Sequence, residues 1–295
     1  MINFNRRTLR GNILNQVIAA VQGKDISRLD SQLTIATEQY FLEIAEYIRA
    51  YQDHFKNNFP ESLKHLDESL KLDPSFPAAH FLKSLVLLSM EKYEEAIKCI
   101  DYSLQNLTLI NFTFLYNNKG VALDRLGRLD EAMFCFLRAI EEDQNNEQAY
   151  LNSLTIAIKK KASLEILSIS QNIREKFSQR PDLLNANASI LLQQVDQSLR
   201  EGNTNLSAKF LQEADKQLQS AVVLNPENSN ILYNLACFYS RSGRLDEALE
   251  TLNKAFQKAP SNTERNQMQQ LARGDVDFEN IRKDPRFLQL LNAAA

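Results

Sequence analysis

The chain has 295 residues, of which 44% are hydrophobic and 24% are charged, so it is long enough to bury a substantial core. Only 7 glycines and 7 prolines are present, which is too little turn chemistry for many short strands, and the composition predicts a mostly helical protein. The 37 acidic and 34 basic residues give a net charge of −3, and this near-neutral balance argues against nucleic acid as a partner.

The first residues predict an amphipathic helix over residues 5–22. Asn12, Asn15 and Gln16 interrupt its apolar positions, so the segment does not fit a secretory signal. Its early arginines, with no acidic residue before Asp25, leave a mitochondrial presequence open as an alternative. No run of about 18 apolar residues occurs in the sequence, which predicts no membrane span and favours a cytoplasmic chain.

Two octapeptides form the core of an internal repeat. RLGRLDEA occupies residues 125–132 and RSGRLDEA occupies residues 241–248, and each lies between two apolar helical patterns. Gly127 and Gly243 are suited to ending a helix in the left-handed conformation. An aspartate three residues after each glycine then lies in the first turn of the next helix, where the helix dipole favours a carboxylate. The repeating unit is therefore helix, turn, helix.

Weaker copies of this unit, YEEA and FPES, set the period of the repeat. Ser62, the last residue of FPES, lies thirty-four residues before Ala96, the last residue of YEEA. Ala214, in the segment FLQEADKQLQ, lies the same distance before Ala248, which ends the second octapeptide. A helical pair every thirty-four residues is typical of tetratricopeptide arrays. The chain resembles a tetratricopeptide-repeat protein.

The last repeat resembles the family pattern at every packing and turn position. These positions are Leu232, Leu235, Ala236, Tyr239, Gly243, Leu245, Ala248, Leu252, Ala255 and Pro260. Earlier repeats depart from the pattern, since Gln144 stands where the family usually has proline and Glu91 stands where it has the turn glycine. The final segment, ARGDVDFENIRKDPRFLQLL, resembles the closing cap of bacterial tetratricopeptide proteins.

The resemblance implies an all-α fold, a right-handed α-solenoid of about six antiparallel helix pairs with helical caps at both ends. The predicted segments are an N-terminal cap at residues 1–42, three repeats at 43–146, two degenerate and lengthened pairs at 147–228, a final repeat at 229–262 and a C-terminal cap at 263–295. The middle is irregular because eighty-two residues separate Ala132 from Ala214, fourteen more than two periods. Either the helices or the loops there must be longer than standard.

Motifs that would indicate catalysis are missing from the sequence, which contains no GxGxxG, GxxxxGK[ST], GxSxG or HExxH. The three histidines lack the spacing of metal ligands. Cys99, Cys135 and Cys237 are far apart and are best interpreted as small buried residues. We therefore expect no enzyme activity, no cofactor and no metal.

The resemblance also implies a concave surface lined by the first helix of each pair. The family's groove positions fall on Phe81, Leu85, Asn117, Asn118, Val121, Arg125, Asn152, Lys159, Asn234 and Arg241. Asn118, Asn152 and Asn234 share one groove position and resemble the asparagine ladder of some peptide-binding members of the family. A primary amide suits this role because it can donate to and accept from a peptide backbone at once.

Related adaptors that bind heat-shock chaperone tails require lysine and asparagine one helix turn apart on the first helix. In this sequence Phe81 and Leu85 stand at those places in one repeat, and Asn117 and Val121 stand there in the next. The pattern therefore argues against a carboxylate clamp for chaperone tails.

The predicted function is a non-enzymatic adaptor or scaffold that binds a peptide segment or protein partner along the concave face. Two alternatives remain open: a ligand-responsive regulator that joins a DNA-binding helix-turn-helix to such an array, and a structural subunit of a larger complex. After Arg10 the first fifty residues show no short helix, glycine turn and polar recognition helix in succession, which argues against the regulator. An obligate subunit would aggregate or self-associate when isolated.

Overall fold

The computed structural model of this protein describes residues 2–106 and 112–292. Within these ranges the chain forms sixteen α-helices, one 3-10 helix and no β-strand, which confirms the predicted all-α fold. None of these helices is both long and apolar enough to cross a membrane. The chain divides into two compact units, residues 1–149 (unit 1) and residues 150–295 (unit 2).

Unit 1 is a stack of helical pairs. Its helices are α1 (Ile2–Gln22), α2 (Ile26–Glu38), α3 (Leu42–Phe55), α4 (Phe59–Leu72), α5 (Pro77–Ser89), α6 (Tyr93–Asn106), α7 (Phe112–Arg125) and α8 (Leu129–Glu142). The closest packing is within the pairs α3–α4, α5–α6 and α7–α8. The pairs also contact one another, because α4 packs against α5 and α6 packs against α7. Val17, Ile48, Leu66 and Leu82 are fully buried in a core that runs from α1 to α5.

Unit 2 repeats this arrangement and ends in short helical elements. Its helices are α9 (Glu147–Lys159), which crosses the division between the units, α10 (Ser163–Lys176), α11 (Pro181–Arg200), α12 (Thr204–Leu224), α13 (Ser229–Arg241), α14 (Leu245–Gln257), α15 (Asn262–Gly274), the 3-10 helix Val276–Phe278 and α16 (Pro285–Asn292). The closest packing is within α11–α12 and α13–α14, and α13 also contacts α11 and the 3-10 helix. Within each unit, neighbouring pairs bury the apolar surface that a single pair would expose, as in an α-solenoid.

The turns inside the pairs follow the chemistry predicted from the octapeptides. Gly127 and Gly243 both have φ of 74°, which confirms their left-handed helix ends. After the first of them, the Arg128 amide donates to the Leu123 carbonyl oxygen at 2.9 Å, so the orphan carbonyl at the end of α7 is satisfied. Glu91 adopts the same conformation with φ of 59° despite its side chain, so the second pair keeps the turn without the glycine.

The extra length in the middle of the chain lies in one pair of helices. Helices α11 and α12 have 20 and 21 residues, whereas α9 and α10 have 13 and 14. Each long helix exceeds the standard length by about two turns, which together account for the fourteen residues beyond two periods. The loops stay short, and the Asn203 side chain caps α12 by accepting from the Leu206 amide at 3.1 Å.

A buried polar network joins α10, α11 and α12. The Asn187 amide donates to the Ser170 carbonyl at 3.2 Å and to the Gln217 side-chain oxygen at 2.8 Å. Gln217 in turn donates to the Ser170 carbonyl and to Glu213, each at 3.1 Å. Glu213 is only 2% exposed, and its partner cation is Arg174, whose Nε lies 2.7 Å from it. The network fixes how the long pair sits against α10, because a buried polar group left without its partner is costly.

The C-terminal elements fold back on the last full pair. Phe278 is fully buried, with its ring centroid 5.5 Å from that of Tyr233 on α13 and 5.6 Å from that of Phe287 on α16. The Asn280 amide donates to the Ser240 carbonyl at the end of α13 at 3.0 Å. The apolar surface at this end of the last pair is thereby covered.

One glycine is required by close helix packing rather than by a turn. A Cβ at Gly120 on α7 would lie 2.5 Å from the ring of Phe136 on α8. Because Phe136 is fully enclosed, we expect Gly120→Ala to lower the free energy of unfolding by about 1–3 kcal/mol, despite alanine's higher helix propensity. The matched control is Gly11→Ala in α1, where nothing lies within 4 Å of the new Cβ, and it should be neutral or stabilise by up to about 1 kcal/mol. Urea unfolding measures both, and equal effects would contradict the packing account.

Candidate functional site

The predicted apolar positions of unit 1 lie on the first helices α5 and α7. Phe81 and Leu85 are half-buried, one turn apart on α5. Val121 is half-buried on α7, one heptad after Phe114, which is 46% exposed. The rings of Phe81 and Phe114 meet edge to face with centroids 5.9 Å apart. These four side chains, here called the apolar patch, leave accessible aromatic and aliphatic surface on the first helices.

The polar positions of α7 continue beside this patch. Asn117 and Asn118 are half-buried, and Arg125 at the end of the helix is exposed. The Asn118 side-chain nitrogen is covered, yet it has no hydrogen-bond partner among the residues that the structure describes. Asn118 therefore retains donor capacity that nothing in the described part of unit 1 uses.

In unit 2 the predicted positions fall on α9 and α13. Asn152 is half-buried, and Lys159 is exposed at the last residue of α9. Asn234 on α13 donates to the side-chain oxygen of Asn185 on α11 at 2.9 Å. Arg241, at the end of α13, has only 11% of its side chain exposed and is held by internal ion pairs. Asn234 and Arg241 thus already have partners inside the fold.

A cleft of about 870 Å³ opens along one face of α13, and we call it the α13 cleft. Its walls are α11, α15 and the residues that follow α15. The lining residues are Asn185, Ser189, Leu192, Gln193, Asp196, Ser229, Asn230, Tyr233, Asn234, Cys237, Arg241, Pro260, Glu264, Gln267, Met268, Leu271, Asp275, Val276 and Asp277. A volume of this size is typical of ligand sites in proteins, and the lining mixes amides, carboxylates and apolar side chains.

Arg241 organises the inner wall of the α13 cleft. Its Nε donates to Asp277 at 2.6 Å, and its two terminal nitrogens form a bidentate pair with Asp196, one of these contacts being 2.7 Å long. Beside it, the Tyr233 hydroxyl donates to Asp275 at 2.9 Å. These bonds link α11, α13 and the segment after α15 into one wall, since the planar fork of arginine fits two carboxylates at once.

The two aspartates on Arg241 differ in their acidity. Hydrogen bonding to the guanidinium lowers the pKa of Asp196 below its usual value. Burial raises the pKa of Asp277, and the guanidinium opposes that rise only in part. For Arg241 itself, burial would lower the pKa, but the bonds to Asp196 and Asp277 outweigh it and the pKa is raised. The guanidinium therefore stays charged and shared between the carboxylates.

One cluster in the cleft has the residue types of a metal site. The Cys237 sulfur and the carboxylates of Asp275 and Asp277 all come within 4.8 Å of one another. Burial raises the pKa of the Cys237 thiol well above its usual value, whereas metal binding requires the thiolate. Both carboxylates are already bonded to Tyr233 or Arg241. The cluster therefore serves to attach the C-terminal segment to α13, and we assign no metal to it.

Several cleft residues are not among the positions predicted from the sequence. Asn185, Gln193 and Asp196 lie on α11, inside the irregular stretch where the repeat pattern cannot be aligned. Asp275 and Asp277 follow the last helix of the array, and no periodicity marks them. The contacts that assemble the wall join residues 36 to 45 positions apart, so only the tertiary structure reveals them.

Family models match three segments of the chain. Residues 55–106, 114–146 and 218–250 each match a model described as tetratricopeptide repeat. The second and third of these segments each contain one of the two octapeptides in full.

Curated relatives match parts of longer proteins. The TPR repeat-containing protein MJ0940 of Methanocaldococcus jannaschii is 28% identical over 114 residues, which cover 39% of this chain and 35% of that protein. The Hsp70-Hsp90 organizing protein of Triticum aestivum is 24% identical over 217 residues, which cover 70% of this chain and 34% of that protein. The chain spans about a third of the length of these relatives.

Solved structures resemble the chain at low sequence identity. PilF of Pseudomonas aeruginosa matches with a TM-score of 0.50 and 16% identity, covering 81% of this chain and 96% of that one. YrrB, described as a TPR protein with an unusual peptide-binding site, matches with a TM-score of 0.41 and 19% identity, covering 81% of this chain and 98% of that one. With its thirty-four-residue period, its stacked helical pairs and the three family-model matches, the chain contains tetratricopeptide repeats.

Proposed function

We propose that the chain is a non-enzymatic adaptor, which binds a segment of a partner protein on the first helices of its pairs. Tetratricopeptide arrays offer such faces as extended binding surfaces. One of the similar proteins, the Hsp70-Hsp90 organizing protein, is named for organizing two other proteins. We further propose that this adaptor works in the cytoplasm and does not bind nucleic acid, in keeping with its near-neutral charge.

The observation that carries this proposal is the α13 cleft. Its exposed rim contains Gln193, Asn230 and Gln267, whose amides can donate to and accept from the backbone of an extended segment. Its inner wall is already held rigid by Arg241 and the aspartates bonded to it. A preformed wall with adaptable polar groups at the rim binds a segment at a smaller ordering cost.

The predicted groove residues divide into two roles under this proposal. In unit 1 the aromatic surface of Phe81, with Leu85 and Val121, anchors apolar side chains of the partner, as buried aromatic contacts do at many interfaces. The contacts that set the partner's register come from Asn117, Asn118, Arg125, Asn152 and Lys159. In unit 2, Asn234 and Arg241 shape the cleft through Asn185, Asp196 and Asp277 rather than reaching outward.

The proposal is tested by affinity capture from a lysate of cells that express the protein. We expect Phe81→Ala/Asn118→Ala and, separately, Gln193→Ala/Gln267→Ala to weaken capture of the same partner by about thirtyfold, because lost anchor contacts cost about 2 kcal/mol. Circular dichroism must show unchanged helicity for each variant. The matched control is Val223→Ala, which shortens an 81% exposed apolar side chain on α12, the second helix of its pair.

A partner retained by both pairs of substitutions would contradict the proposal. A partner lost with Val223→Ala alone would place recognition on the second helices instead. In either case the tetratricopeptide fold would stand, because that conclusion depends on the repeat pattern and not on the binding face.

A further inference from the structure

We propose that the α13 cleft takes a partner segment that presents a lysine or arginine side chain. This inference rests on the proposed function and names the chemistry of the partner. It follows from the charges on the cleft wall, the apolar side chains beside them and the internal ion pairs of Arg241, the one cationic side chain that lines the cleft.

The charges of the cleft are unbalanced toward the acidic side. Its lining contains the carboxylates of Asp196, Glu264, Asp275 and Asp277 and only one cationic side chain, Arg241. The chain as a whole is nearly neutral, so this excess is local to the cleft. Carboxylates concentrated in a concave, partly desolvated site attract cations more strongly than the same groups spread over an open surface.

Arg241 cannot serve as a receptor for an acidic partner. Its Nε bonds to Asp277, and its terminal nitrogens bond to the two oxygens of Asp196. Only 11% of its side chain is exposed. An incoming carboxylate would meet several like charges without gaining a free guanidinium, which disfavours acidic segments.

Acceptor capacity remains on the carboxylates. Glu264 is exposed in the first turn of α15 and has no ion-pair partner among the residues that the structure describes. Asp277 accepts from Arg241 through one oxygen, Oδ1. Asp275 accepts the Tyr233 hydroxyl on Oδ2 and the Asp277 backbone amide on Oδ1. A carboxylate oxygen has two lone pairs, so these groups can accept further bonds from an ammonium or guanidinium.

Apolar side chains lie beside the carboxylates. Leu271 and Val276 are 60% and 61% exposed and line the same cleft as Asp275 and Glu264. Lysine and arginine combine a long apolar stem with a cationic head, and they bury the stem on apolar surface while the head seeks a polar partner. The cleft offers both kinds of contact in one place, which fits such a side chain better than it fits a short polar one.

Selection from a display library of random dodecapeptides on the immobilised full-length chain tests this inference. We expect the selected peptides to be enriched in lysine and arginine. We expect Glu264→Lys to weaken the best peptide by at least about tenfold, because a new cation at the rim repels the basic side chain. The matched control is Glu94→Lys in the first turn of α6, which makes the same change of charge outside the cleft and should alter affinity less than about twofold.

The outcomes separate this inference from the proposed function. Selected peptides that are rich in aspartate and glutamate, or that bind Glu264→Lys and Glu94→Lys equally well, would overturn the basic-segment inference. If those peptides are still lost with Gln193→Ala/Gln267→Ala, the cleft remains a peptide site and the adaptor proposal stands. A library that yields no cleft-dependent peptide would overturn both.

Discussion

Arg241→Met is expected to lower the free energy of unfolding by about 3–5 kcal/mol. The guanidinium is nearly enclosed and bonds to Asp196 and Asp277, so its loss leaves two carboxylates facing each other without a cation. Methionine keeps much of the apolar volume of the arginine stem, so the loss of stability reports on the missing charge rather than on packing. Urea unfolding followed by circular dichroism measures the change, provided that the unfolding is two-state.

The matched control for Arg241 is Arg128→Met. Arg128 pairs with Glu131 three residues along α8, and 46% of its side chain is exposed. Exposed pairs of this kind contribute little to stability, so we expect Arg128→Met to cost far less than Arg241→Met. If Arg241→Met lowers the free energy of unfolding no more than Arg128→Met does, Arg241 does not hold the C-terminal segment to α13. Arg241 would then again be a candidate for the predicted contact with a partner.

The second large effect is expected for Arg174→Met, again about 3–5 kcal/mol. Arg174 is the cation bonded to Glu213, whose side chain is almost completely buried in α12. Its removal leaves a buried carboxylate whose remaining bonded partner is the Gln217 amide. Urea unfolding at neutral pH measures the loss.

A double variant distinguishes the buried charge from other effects at this site. Glu213→Leu in the Arg174→Met background removes the stranded carboxylate, and we expect it to recover most of the lost stability, because apolar replacement of a buried ion pair is often neutral or favourable. Gln217 keeps its bond to the Ser170 carbonyl in that variant. A double variant that is no more stable than Arg174→Met would show that the polar network, not the unpaired charge, determines the loss.

The local elements of the fold could be predicted because they depend on local chemistry. The left-handed ends at Gly127 and Gly243 are set by residues within one turn, and the octapeptides display them directly. The period follows from small residues such as Ala96 and Ala248, which are fully buried where helices approach closely. The same reasoning places the first helices that carry the apolar patch.

The candidate site was less predictable because it depends on contacts between distant residues. Fourteen extra residues between Ala132 and Ala214 allowed either longer helices or longer loops, and no local signal decides between them. Arg241 was predicted as a groove contact from its repeat position. Its bonds to Asp196 and Asp277 arise from a lengthened helix and a C-terminal segment that the repeat pattern does not describe.

Site-specific photo-crosslinking shows which surface of the chain touches the partner, and so whether the partner binds on the first helices. A photoreactive phenylalanine analogue is placed at Gln193 in the α13 cleft, at Phe114 in the apolar patch, or at the exposed Val223 on α12, and the full-length chain is irradiated in its own cells. We expect a crosslinked partner polypeptide from Gln193 and from Phe114, and none from Val223. Crosslinks from Val223 alone, or none from the two first-helix positions, would contradict it.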